Sequence, residues 1–213
     1  MFVFKAAVVG AGTMGGEIAQ AIAVADIDVV LKDIDQKFVD HGLDKAREVT
    51  KSQLDKLVSK EKLTQEQADA RLEEVMGRIE GTTDYASFGD VDFVIEAVFE
   101  DLKVKQQVFA EVEAVVSPEC VLATNTSSLS VTAMSADLRY PERVVGFHFF
   151  NPVAKMPLLE IARAEHTDDP TLATAFAVGK ALRKTCIRAA DRPSFIVNRL
   201  LGRFMGEAAK ILD

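Results

Sequence analysis

Short runs of aliphatic and β-branched residues recur along the chain, separated by longer stretches in which apolar positions return every three or four residues. The runs "KAAVVGAG", "DVVLKD", "VDFVIEAV", "CVLATNT", "RVVGFHFF", "LLEIARA" and "CIRAAD", with a weaker "RIEGTTD", predict strands. The intervening "LKVKQQVFAEVEAVV" and "PTLATAFAVGKALRKT" predict helices. Strands that are apolar almost throughout are buried on both faces. The alternation therefore predicts an α/β fold with a doubly wound, mostly parallel sheet covered by helices on either side.

Two stretches break this rhythm. Residues 36–78 are long, polar and rich in Lys, Glu, Gln and Asp. Within them "KLTQEQ" offers a fresh helix start at Thr64, three residues before Gln67, which fits a capping box. The pattern predicts a helical hairpin inserted into the sheet's crossover and projecting from it, either a solvated pair of helices or an arm that grips a substrate. At the other end, "PSFIVNRLLGRFMGEAAKILD" is a strong helical pattern. Its apolar residues Phe195, Ile196, Leu200, Leu201, Phe204 and Met205 spread around much of the helix, and no Gly or Pro ends it before Asp213. Such a helix needs something to pack on, which suggests that further sequence normally follows.

Composition narrows the class. With 48% hydrophobic and 27% charged residues, the 213-residue chain has the make-up of a soluble globular enzyme. A net charge of -8 argues against general affinity for nucleic acid or an anionic membrane. No run approaches a membrane span, and the N-terminus lacks the layout of a signal peptide, so a cytoplasmic protein is expected. Cys120 and Cys186 have no metal-ligand spacing and read as buried thiols in a reducing compartment; no metal site is expected.

The chemistry begins at Gly10, Gly12 and Gly15, a G-x-G-x-x-G turn that encloses Thr13 and Met14 between a strand and a helix. Asp33 lies 23 positions past Gly10 and ends the next strand. This is the context of a Rossmann-type dinucleotide site: a tight turn, a close backbone approach to pyrophosphate, and an acid for the adenosine ribose. A carboxylate there repels a 2′-phosphate and favours NAD over NADP, although Lys32 beside it works the other way, and FAD uses the same fingerprint.

Further along, polar residues appear where strands end. Glu96 interrupts an apolar strand, and a buried carboxylate is costly unless paired. The turn "ATNTSSLS" carries Asn125, Ser127 and Ser128, any of which could be a helix cap or a ligand group. His148 sits in the aromatic run "GFHFFNP", three residues before Asn151, and Glu160 interrupts the apolar "LLEIA". Two adjacent strands, each with one polar residue in an apolar run, suggest a His–carboxylate pair, the arrangement of an oriented general base.

Taken together, "VVGAGTMGGEIA", "FVIEAVFEDLKVKQQVF", "ATNTSSLS", "GFHFFNPVAKMPLLEI" and "FIVNRLL" resemble, in order and over essentially the whole chain, the 3-hydroxyacyl-CoA dehydrogenases of fatty-acid β-oxidation. The likeness is greatest to the dehydrogenase portion of the multifunctional enzymes. It implies oxidation of (S)-3-hydroxyacyl-CoA with NAD, His148 acting as base, Glu160 as its orienting partner, Ser127 on the substrate oxygen and Asn198 positioning the acyl-CoA. It places Glu96, Lys103, Asn125 and Asn151 on the cofactor side, with Asn151 beside the reacting centre and the substrate. It makes residues 36–78 the family's helical arm, where Lys51, Lys56 and Lys60 are candidates for the CoA phosphates.

The same resemblance implies an NAD-binding domain over residues 1–190, and in 191–213 only the first helix of an all-helical domain that closes the cleft and dimerises. Partners would be acyl-CoA and either a second copy or the rest of a larger multifunctional chain, with no nucleic acid and no membrane. If that helical domain is missing, the chain is instead an NAD-binding fragment without turnover. One departure stands out: the family's D-x-P-G-F reads Asp191-Arg192-Pro193-Ser194-Phe195 here, and Ser tolerates most turns except those with positive φ.

Overall fold

The structure, a computed structural model, describes residues 3–211. Met1, Phe2, Leu212 and Asp213, and with them the last two positions of the C-terminal helical pattern, lie outside the described residues. Eight strands form one sheet: β1 (Lys5–Val9), β2 (Asp28–Lys32), β3 (Ile79–Thr82), β4 (Phe93–Glu96), β5 (Val121–Thr124), β6 (Val144–Phe149), β7 (Leu158–Arg163) and β8 (Thr185–Ala190). Their spatial order is β3-β2-β1-β4-β5-β6-β7-β8. The chain winds outward from β1 to β3, then returns to lay β4 on the other side of β1. That reversal opens a crevice beyond the carboxyl ends of β1 and β4, where ligands bind in open α/β sheets.

All neighbouring pairs are parallel except β6 and β7. The connection from Phe150 to Pro157 is too short for a crossover, so β7 returns antiparallel. The register that results sets His148 directly opposite Glu160.

Both faces of the sheet are covered. On one side Ile18 and Ile22 of α1 (Thr13–Val24) and Val178 of α6 (Asp169–Ala181) pack on Val8, Leu31, Ile95 and Phe147. On the other, Phe109 of α4 (Leu102–Glu113) and Met134 of α5 (Val131–Ser135) pack on Val9, Val94 and Leu122. Burying each such side chain stabilises the fold by about 1.5–3 kcal/mol. Cys120 lies in the second cluster, where burial pushes its thiol up to about 12, while Cys186 is half-buried.

The hairpin expected at 36–78 is α2 (Gln36–Val58) and α3 (Gln65–Gly77). Asp35 caps α2, and Thr64 with Gln67 forms the anticipated capping box on α3. Val39, Gly42 and Ala46 bury one side of α2, which packs along α1; the rest of the hairpin is largely exposed. The last helix, α7 (Val197–Ala209), contrasts with all the others because none of its residues is buried. Leu200, Leu201, Phe204 and Met205 are all exposed. Among the described residues, no helix is long and apolar enough to cross a membrane.

Candidate active site

The glycine turn does what its spacing requires. Gly10 sits at φ 102°, in the left-handed region, and a side chain there would collide with the backbone of Ala97. A Cβ at Gly15 would lie 1.7 Å from the Gly10 carbonyl, so only glycine lets α1 close against the turn. Gly12 faces open space and lines a cavity of about 480 Å³ together with Thr13, Met14 and Asp33. No side chain caps the N-terminus of α1. Asp33 accepts hydrogen bonds from the Ala11 N–H at 2.7 Å and the Ile34 N–H at 2.7 Å, which fixes the carboxylate at the cavity wall. An uncapped helix start, a bare glycine and a pinned acid fit a dinucleotide: its pyrophosphate at α1, its adenosine ribose at Asp33.

Glu96 is not among the residues that line this cavity, although its neighbours Ala97 and Val98 are. Its fully buried carboxylate accepts from Lys105 Nζ, Thr124 Oγ1 and the Val98 N–H, each at 2.7 Å. Burial raises the Glu96 carboxyl above its ordinary value, and the three donors, Lys105 foremost, act against that rise. Lys103, expected on the cofactor side, is exposed, and its backbone N–H caps onto Asp101. Lys105 takes the inward place because it shares the buried stripe of α4 with Phe109 and Val112, a spacing of four and then three residues that sequence periodicity could have revealed.

The serine turn divides its work. Ser130 caps α5 by accepting from the Ala133 N–H, the structural use. Ser127 instead faces Glu100, a residue the sequence reading passed over. Glu100 Oε1 accepts from Thr126 Oγ1 at 2.6 Å, from the Ser127 N–H at 2.9 Å and from Ser127 Oγ at 3.3 Å. Partial burial pushes the Glu100 carboxyl up, but Thr126, Ser127 and Lys105 outweigh this and hold it below the usual carboxylate range. Ser128 reaches the same oxygen at 3.5 Å. Asn125 Oδ1 accepts from the Phe149 N–H at 2.9 Å, tying the end of β5 to the end of β6, one residue past His148.

The His148–Glu160 pair forms as expected. His148 Nδ1 lies 2.8 Å from Glu160 Oε2, with the ring buried against Phe150 and Phe195. Among the described residues Nε2 has no hydrogen-bond partner, so this nitrogen is the one left for chemistry. The other Glu160 oxygen accepts from the Ile196 N–H at 3.1 Å and the Val197 N–H at 2.9 Å. One carboxylate therefore orients the imidazole and caps α7, whose first turn carries the half-buried Asn198.

The loop carrying the exposed Asn151 is clamped from two sides by residues the sequence reading did not single out. The Val153 N–H donates to buried Glu17 of α1 at 2.6 Å, and Lys184 Nζ donates to the Val153 and Met156 carbonyls. Ser194 and Phe195 have φ of 63° and 47°, so the position where Gly was expected does adopt the left-handed conformation.

Residues 5–192 match the family model described as "3-hydroxyacyl-CoA dehydrogenase, NAD binding domain". The chain belongs to this family. It is 42% identical over 209 residues to the fatty acid oxidation complex subunit alpha of Pseudomonas entomophila, covering 98% of this chain and 28% of that protein. The chain thus spans under a third of the length of such curated relatives. Among solved structures it resembles (S)-3-hydroxybutyryl-CoA dehydrogenase from Ralstonia eutropha, with a TM-score of 0.88 and 38% identity over 97% of this chain and 70% of that one. It also resembles 3-hydroxybutyryl-CoA dehydrogenase from Escherichia coli, with a TM-score of 0.88 and 35% identity over 100% of this chain and 43% of that one. NAD is accordingly the dinucleotide that this dehydrogenase-family site takes.

The lysines of the helical arm are less concentrated. Lys51 pairs with Asp55 at 2.7 Å on the exposed face of α2. Lys56 borders a groove of about 260 Å³ between α2 and the Asn151 loop, opposite Pro152 and Lys155.

Proposed function

We propose that this chain oxidises an (S)-3-hydroxyacyl-CoA to the 3-ketoacyl-CoA. The observation that carries the reading is the His148–Glu160 pair at the carboxyl end of the sheet, with Nε2 free and the dinucleotide cavity two strands away. His148 Nε2 takes the proton of the 3-hydroxyl as the C3–H bond breaks and the carbonyl forms. Bound in the cavity at Gly12 and Asp33, NAD would supply the acceptor for the C3 hydride. Glu160 holds Nδ1–H and stabilises the imidazolium that develops. Ser127, whose backbone N–H stays on Glu100, turns its single hydroxyl proton from Glu100 to the substrate oxygen, and Asn198, held through the Glu160 cap on α7, positions the acyl thioester. The aromatic walls from Phe150 and Phe195 keep water from the imidazole and strengthen its attraction to Glu160.

In the same proposal Lys56 and Lys51 on the helical arm meet the CoA phosphates. Residues up to 190 act as the cofactor domain, and α7 starts a separate helical segment whose exposed apolar face packs in a larger multifunctional chain or a dimer. The test is NADH oxidation driven by acetoacetyl-CoA, set beside the same assay with free acetoacetate. Turnover with the thioester and none with the free acid is expected. Equal use of both would move the substrate class to free β-keto acids.

A further inference from the structure

The cofactor cavity holds a cation that the dehydrogenase reading does not use. Lys32, the last residue of β2, is buried and lines the cavity beside Asp33; it is the one cationic side chain on that wall among the described residues. Lysine or arginine next to the ribose-binding acid is what a 2′-phosphate needs, because that group carries close to two negative charges at neutral pH. The charge of Lys32, however, is already engaged within the protein. Its ammonium lies over the face of Tyr85, 4.3 Å from the ring centroid.

Tyr85 is in turn fixed. Its edge packs against fully buried Phe88, with ring centroids 5.0 Å apart, and its hydroxyl donates to Glu111 Oε2 at 2.9 Å. Glu111 is steadied by Gln107 Nε2 at 2.9 Å. Burial, reinforced by the bond to Glu111, pushes the phenol well above its ordinary value, so the ring stays neutral and the hydroxyl stays a donor. Hydrogen bonding to a carboxylate enriches the electron density of the ring face, which strengthens its hold on an ammonium. Asp33, by contrast, is anchored by the Ala11 and Ile34 N–H groups and keeps its place at the cavity wall.

We propose that Tyr85, braced by Glu111, is a specificity residue that stows Lys32 against its ring, leaving Asp33 alone to meet the adenosine ribose and exclude a 2′-phosphate. The sequence pair Lys32-Asp33 is then two opposed determinants, one of them switched off by an aromatic ring from the segment after β3. The inference rests on the dinucleotide site but not on turnover, so binding alone tests it.

Dissociation constants for NADH and NADPH would be measured by direct titration on the unmodified chain, Tyr85→Leu, Lys32→Met and the double variant. Tyr85→Leu frees the ammonium, and the preference for NADH over NADPH should fall by about tenfold, the size of one charge–phosphate contact. The double variant should regain the original preference. Lys32→Met alone should leave the preference unchanged within about twofold, because the ammonium is already stowed. An unchanged preference in Tyr85→Leu, or a lowered one that persists in the double variant, would overturn the proposal. So would selective loss of NADPH binding in Lys32→Met, the variant that keeps Tyr85 in place. Failure of the unmodified chain to bind NADH would instead remove the dinucleotide site itself.

Discussion

Two carboxylates interrupt apolar strands of the same sheet, and their fates differ. Glu96 on β4 is buried and saturated: an ammonium, a hydroxyl and a backbone N–H use its oxygens, and nothing in the cluster is left to exchange a proton with a ligand. Glu160 on β7 is equally buried and also takes three donors, but one of them is an imidazole whose second nitrogen is free. An acid in an apolar run therefore announces a buried polar cluster. Whether the cluster is structural or reactive is decided by the partner that topology delivers, Lys105 from a helix in one case and His148 from an antiparallel neighbour in the other.

That contrast can be broken from either side. The largest effect on stability is expected from Lys105→Met, which strands the Glu96 charge in the core; breaking such a pair costs about 3–5 kcal/mol. Denaturant unfolding measures it, and a loss below about 1 kcal/mol would mean that Glu96 is already protonated. Glu160→Gln should do the converse. Its amide oxygen can still accept from the Ile196 and Val197 N–H groups, so the fold should hold, while kcat falls by about 100-fold as the imidazolium loses its counter-charge. An unfolded Glu160→Gln protein would make Glu160 as structural as Glu96.

A smaller effect concerns Glu100, which pairs with Lys105 of the Glu96 cluster at 3.2 Å. Its carboxyl lies below the ordinary value, so the folded state favours the charged form. The stability this contributes is present at neutral pH, above the unfolded value of about 4.3, and is lost as pH falls from there through the folded value. The stability gap between the parent and Glu100→Gln should therefore narrow below about pH 4. A gap that widened in acid would reverse the sign. The smallest effect is at Ser194: with φ at 63°, replacement by Gly relieves left-handed strain and should stabilise by up to about 1 kcal/mol, read as a rise in Tm.

The sheet, the glycine turn, the Thr64 capping box and the His148–Glu160 pair were legible because each has a local or periodic signature. A buried strand is apolar throughout, a cap repeats at three residues, and a hairpin too short for a crossover brings its two strands side by side. What stayed hidden came from segments distant in sequence. Glu100 reads as one acid in a polar turn until Thr126 and Ser127 fold onto it, 26 and 27 residues on. Glu17 looks like an ordinary helix residue, yet it holds Val153 across 136 positions. Lys105 was the exception, since its place on the stripe with Phe109 and Val112 was readable. Ser194 was legible as a question, and its positive φ answered it.

The central claim is that His148 Nε2 takes the substrate proton, and the most direct measurement compares the unmodified chain with His148→Ala. Both would be assayed for NADH oxidation by acetoacetyl-CoA and titrated with NADH. The account predicts turnover in the first, a fall of about 100-fold or more in the second, and equal NADH binding in both. A His148→Ala protein that turns over as fast as its parent would contradict it, and so would a parent that binds NADH yet never oxidises it.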